Sequence, residues 1–123
     1  MGKNVLIADD DTALRTMLRI VVQREGHAVT EAGDGGAALE RLAEKNFDLV
    51  LLDIVMPGKE GIETLLEIRR VQPRLPVVVM SGGGRFKGDS LDLALDCGAN
   101  AVMAKPFLPD ELRVVMRGLL AET

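Results

Sequence analysis

Short apolar runs alternate with amphipathic stripes along the whole chain, and that alternation leaves few folds open. Val5-Leu6-Ile7-Ala8, Leu49-Val50-Leu51-Leu52, Val77-Val78-Val79-Met80 and Ala101 to Ala104 are continuous apolar runs. Runs of this length suit strands covered on both faces. Ala28-Val29-Thr30 is weaker and reads as a strand at a sheet edge. Between the runs lie helical stripes. Thr12 to Glu25 carries Leu14, Met17, Leu18, Val21 and Val22 on one face and closes at Gly26. Gly35 to Lys45, Gly61 to Arg70 and Asp89 to Cys97 follow, and Pro109 to Leu120 has proline in its first turn. The pattern is (βα)₅, an α/β domain with a parallel sheet, right-handed crossovers and helices on both faces. A chain of 123 residues has room for one such domain, spanning 1–123. Periodicity alone leaves the strand order open. In open sheets of this kind ligands bind beyond the carboxyl ends of the strands.

Composition removes several function classes. Lys and Arg number 15 against 19 Asp and Glu, a net charge of −4, with no basic run. Direct nucleic acid binding needs clustered cations for phosphate contacts and is not expected. Three Phe, no Trp and no Tyr give little for base stacking or for a ring-sandwiched cofactor. Cys97 is the single cysteine, so neither an internal disulfide framework nor a cysteine-built zinc site is available. The first apolar stretch is four residues, too short for a signal peptide or a membrane span. These features fit a cytoplasmic protein without a membrane partner. His27, after a helix-ending glycine, reads as a solvated loop residue, and Cys97 as a small buried hydrophobe.

The strand ends concentrate polar chemistry. Strand one runs into Asp9-Asp10-Asp11, strand three into Asp53, strand four into Ser81, and strand five into Lys105-Pro106. Asp11 or Thr12 has an ordinary role as the N-cap of the first helix. Singly, the others read as turn residues. Jointly they bring several carboxylates to one edge, where each raises the others' pKa unless a cation neutralises them. An all-oxygen set without histidine or thiolate suits Mg²⁺, which keeps several waters and shares its shell with phosphate. Lys105 adds a fixed positive charge and Ser81 a hydroxyl donor. Together these groups suit a phosphoryl group carried on a carboxylate.

The residues Ile7-Ala8-Asp9-Asp10 with Arg15, Leu51-Leu52-Asp53-Ile54-Val55-Met56-Pro57-Gly58 with Gly61, Ser81-Gly82, and Lys105-Pro106-Phe107 occur in a family-like order and spacing. Over essentially its whole length the chain resembles the receiver domain of two-component response regulators. The resemblance implies a doubly wound, five-stranded, flavodoxin-like sheet in the order 2-1-3-4-5. It implies Asp53 as phospho-acceptor, with Asp9, Asp10, Asp53 and the backbone carbonyl of Val55 around Mg²⁺. Ser81 resembles the switch hydroxyl, and Lys105 the lysine that pairs with the phosphoryl group. The Lys105–Pro106 peptide is often cis in such domains. The implied phosphodonor is a histidine kinase or histidine phosphotransfer protein, and the implied output is a downstream protein target or a fused domain. Such a domain is not an enzyme acting on separate substrates; it catalyses only its own phosphorylation and dephosphorylation.

Two other classes share parts of this pattern. A haloacid-dehalogenase-type enzyme also uses an aspartyl nucleophile after a strand, but it wants a second Asp two positions on, where this chain has Val55. A flavin carrier of this topology needs a phosphate-cradling loop after strand one, where three Asp repel phosphate. The chain ends at Ala121-Glu122-Thr123, compatible with a stand-alone receiver or with a receiver excised from a longer regulator. Val102 stands where many receivers carry Tyr or Phe, so ring rotation cannot report phosphorylation there. Val55 offers no hydrogen bond to an attacking water, and a long-lived phosphoryl group is expected. A donor helix is expected beside Leu14, Met17, Arg15, Pro106 and Phe107. The glycine-rich stretch from Gly82 to Gly88, with Arg85, Phe86 and Lys87, is expected to order as Ser81 moves.

Overall fold

A computed structural model describes residues 2–54, 60–81 and 87–121, the side chains of residues 60 and 87–91 excepted. Those residues form β1 (Asn4–Ala8), α1 (Thr12–Arg24), β2 (Ala28–Ala32), α2 (Gly35–Glu44), β3 (Leu49–Asp53), α3 (Glu60–Val71), β4 (Val77–Ser81), α4 (Lys87–Asp96), β5 (Ala101–Ala104) and α5 (Pro109–Leu120). The strands make one parallel sheet in the order β2-β1-β3-β4-β5, the implied order. Ala8 lies opposite both Ala32 and Leu52, Asp53 opposite Met80, and Ser81 opposite Ala104. The carboxyl ends of the inner strands are therefore nearly level.

Strand alternation divides the core in two. Leu6, Ala8, Val50, Leu52, Val77 and Val79 pack on one face with Ala38 and Leu42 of α2, Leu65 and Ile68 of α3, and Ala94 of α4. Val5, Ile7, Leu49, Leu51, Val78, Met80 and Met103 pack on the other with Leu18, Val21 and Val22 of α1 and Leu112 and Met116 of α5. The runs are apolar at every position because both sheet faces are covered. Truncating a fully buried member such as Leu52 to Ala costs about 2–5 kcal/mol.

Helix ends are chemically marked. The Asp11 carboxylate accepts from the Leu14 N–H at 3.1 Å, and that of Asp34 from the Ala37 N–H at 2.7 Å. Gly26 follows α1 at φ +92°, a left-handed conformation that favours glycine. Three expectations need correction. β2 runs two residues past Thr30, because Glu31 interrupts the apolar run while finding cationic partners on α1. α4 begins at Lys87 rather than Asp89, so Gly88 is helical; a first helical turn tolerates glycine since its N–H groups need no helical partner. His27 is half-buried, its Nδ1 accepting from the Lys3 N–H at 3.1 Å across the start of β1.

α1 and α5 are joined at one end by charge. Glu25, at the C-terminus of α1, accepts from Arg117 Nε at 2.7 Å and Nη2 at 3.0 Å. The Arg117 hydrogen bond holds the Glu25 carboxyl below its usual value. A lowered native pKa adds stability above the unfolded pKa, and that stability is lost as pH falls through the native value. Arg117→Ala should therefore melt slightly below wild type at neutral pH, with the gap closing as pH falls through the lowered Glu25 value and shrinking in high salt. Circular dichroism melts across that range check it; a gap constant with pH would assign the loss to packing.

Candidate functional site

The period of two that builds the core also aims the polar strand ends. Val5 and Ile7 face α1 and α5, and the same parity carries on to Asp9. Leu49 and Leu51 lead in the same way to Asp53, and Ala101 and Met103 to Lys105. Val77 and Val79 belong to the opposite core, so Ser81 continues the other face. Three strands thus deliver two carboxylates and one ammonium to a common edge.

Lys105 Nζ lies 3.0 Å from Asp9 Oδ2 and 3.2 Å from Asp53 Oδ2. Asp9 is fully buried and Asp53 is 2% exposed, while Asp10 is exposed. One oxygen from each of these three carboxylates can be chosen so that all lie within 4.8 Å of one another. The second Asp9 oxygen accepts from the Asp11 N–H at 2.8 Å. Burial is the main influence raising the Asp9 carboxyl above its usual value, with the Asp53 charge adding to it; the Asp11 N–H and Lys105 act against it. One ammonium faces three carboxylates, so a hard cation with oxygen preference fits the donor set. The exposed Asp10 leaves one side of the cluster open to solvent.

Asp9 is buried at a cost that a neutral isostere avoids. In chelator, Asp9→Asn should melt about 3 °C above wild type, the size expected of roughly 1 kcal/mol in a domain of this length. Calorimetric melts with chelator check this, and a lower melting temperature would mean that the Lys105 pair outweighs the burial of charge.

Ser81 is fully buried at the end of β4, and its carbonyl accepts from the Lys105 N–H at 2.8 Å. The Lys105–Pro106 peptide is cis. The Val55 carbonyl and the glycine-rich stretch over 82–86 lie outside the described residues. Val102 is half-buried on the edge strand β5, packed against the core on the side of α2, α3 and α4. Cys97 is half-buried against the same core. Beside the acidic cluster, Asp11, Leu14, Met17, Lys105, Pro106 and Phe107 line a groove of about 400 Å³. Leu14, Met17 and Phe107 also pack on the core beneath, so each serves both the groove and the interior. Glu31 and Arg19, which no local motif marks, reach the site through Arg15.

Known proteins share this fold over nearly the whole chain. Residues 5–117 match the family model described as the response regulator receiver domain. The transcriptional regulatory protein ResD of Bacillus subtilis is 33% identical over 120 residues, covering 94% of this chain and 47% of that protein. The DNA-binding response regulator MtrA of Mycobacterium tuberculosis is 38% identical over 122 residues, covering 98% of this chain and 51% of that protein. The chain thus spans about half the length of these curated relatives. The crystal structure of the NtrX receiver domain from Brucella abortus superposes with a TM-score of 0.89 at 32% identity, covering 97% of this chain and 99% of that one.

Proposed function

This chain belongs to the response regulator receiver family, and from that premise we propose that Asp53 accepts a phosphoryl group from a histidine kinase or histidine phosphotransfer protein. The observation that carries the reading is Lys105 Nζ set between the buried carboxylates of Asp9 and Asp53. A carboxylate oxygen of Asp53 attacks phosphorus, the bond from phosphorus to the donor breaks, and an acyl phosphate remains on the side chain. Lys105 offsets the charge that accumulates and orients the acceptor before the reaction. Asp9 and Asp10, with Asp53 and the Val55 carbonyl, would hold Mg²⁺. When bound, Mg²⁺ supplies charge neutralisation to the incoming phosphoryl oxygens. Ser81 would donate its hydroxyl to the transferred group, which couples β4 to the state of Asp53.

The groove beside Leu14, Met17, Pro106 and Phe107 suits an amphipathic helix from the donor, because its apolar walls adjoin the acceptor. Downstream, the phosphorylated surface would act on a protein target or a fused output domain, with no direct nucleic acid contact by this domain. We assign this work to the cytoplasm, where the single cysteine needs no oxidising partner. No described helix is long and apolar enough to cross a membrane.

Incubation with acetyl phosphate and Mg²⁺ should add one phosphoryl group, about 80 Da by intact mass, and the adduct should be lost at high pH as acyl phosphates are. Peptide mapping should assign it to the segment holding Asp53. No mass gain at saturating donor, or a gain that persists in chelator at the same rate, would overturn the proposal.

A further inference from the structure

We infer that Arg15 is a positioning residue for the cation site, holding the Asp9–Asp10 peptide so that the exposed Asp10 carboxylate faces the buried pair. The inference rests on the reading of Asp9, Asp10 and Asp53 as cation ligands. Asp10 lies just past the end of β1, beyond the strand ladder, so something else must set its backbone. The Asp9 N–H donates to the Ala32 carbonyl at 3.1 Å, and the Asp9 carboxylate takes the Asp11 N–H. The Asp9 carbonyl, which is one end of the peptide leading into Asp10, accepts from Arg15 Nη1 at 2.7 Å. Rotation about that peptide would break this bond and swing Asp10 away.

The guanidinium is itself held in place. Its Nε donates to Glu31 Oε1 at 3.1 Å, and Arg19 Nη1, one turn further along α1, donates to the other Glu31 oxygen at 3.1 Å. Arg15 is joined to the N-cap by its own N–H on the Asp11 carbonyl at 2.9 Å, and its side chain is only 19% exposed. The turn after β2 closes over it: a methyl group added at Gly33 would sit 3.4 Å from Nη1. One prong of a rigid fork is thus fixed on β2 and the other just past the end of β1.

Charge alone predicts the opposite behaviour. Two guanidinium groups share one carboxylate here, leaving an excess positive charge near a site for a divalent cation. If Arg15 acted only as a charge, its removal would tighten Mg²⁺ binding. If it acted only as a staple between strands, its removal would lower the melting temperature and leave Mg²⁺ affinity alone.

Titration calorimetry with Mg²⁺ on the folded protein separates the three. Arg15→Ala should raise the Mg²⁺ Kd about tenfold, the usual effect of removing a group that orients a metal ligand. Arg15→Lys, which keeps the charge but replaces the planar fork by one flexible nitrogen, should also bind weakly, within about threefold of Arg15→Ala. The lysine variant keeps the test open if the alanine variant fails to fold, with circular dichroism as the control. A Kd unchanged or tightened in both variants would overturn the inference while leaving the cation site in place. Absence of Mg²⁺ binding by wild type would overturn the cation reading, and this inference with it.

Discussion

Asp53→Asn should abolish phosphoryl incorporation from acetyl phosphate without loss of the fold. The amide has nearly the shape of the carboxylate but no anionic oxygen, so it fits the site and cannot attack phosphorus. At 2% exposure the side chain sits among fixed neighbours, and a change of volume there would be felt; this exchange makes almost none. It also removes one of the clustered negative charges, so the variant should melt at or above the wild-type temperature in chelator. Intact mass should show no adduct after the time that saturates wild type. Adduct formed at the wild-type rate would move the acceptor elsewhere, to Asp9 or Asp10, and peptide mapping would say which. A variant that melts well below wild type would instead make Asp53 structural, the buried counter-charge of Lys105.

Much of the placement of these residues is legible in the sequence, and the reason is local. Asp53 is the first polar residue after the most apolar run in the chain, and a buried strand must end where such a residue appears. Period-two counting from Val5 and Ile7 to Asp9, and from Ala101 and Met103 to Lys105, places both on one sheet face. Strand order was a different matter. The (βα)₅ pattern is compatible with more than one winding, and only the likeness to a known family named 2-1-3-4-5. The contacts that escaped reading are those between residues far apart in sequence. The weak edge strand read from the sequence stops at Thr30, yet β2 continues through Glu31 because Arg15 and Arg19 on α1 satisfy its charge. No local pattern announces a pair separated by a helix. The start of α4 departs from the sequence pattern for a converse reason. Gly88 suggests a loop on propensity, but propensity weighs little in a first turn.

Gly61→Ala should be the most destabilising small substitution in the region of the site, costing about 3 kcal/mol. A Cβ built at Gly61 would lie 2.3 Å from the Ile54 Cα, 2.8 Å from its Cβ and 2.9 Å from its carbonyl oxygen. Two of these three atoms are backbone, so no rotamer change relieves the clash. Ile54 cannot retreat easily either: it is buried, and its N–H donates to the Met80 carbonyl at 3.0 Å. The first turn of α3 or the end of β3 must therefore move apart. In a domain of this length that cost lowers the melting temperature by roughly 10 °C. Because Ile54 directly follows Asp53, the same displacement reaches the proposed acceptor, and phosphorylation should slow in protein that is still folded. Melting curves and acetyl phosphate kinetics, measured below the transition, read the two effects separately. A melting temperature within about 2 °C of wild type would mean that α3 is free to shift on the sheet. A large drop with an unchanged rate would instead show that β3 holds its end fixed and that the helix alone gives way.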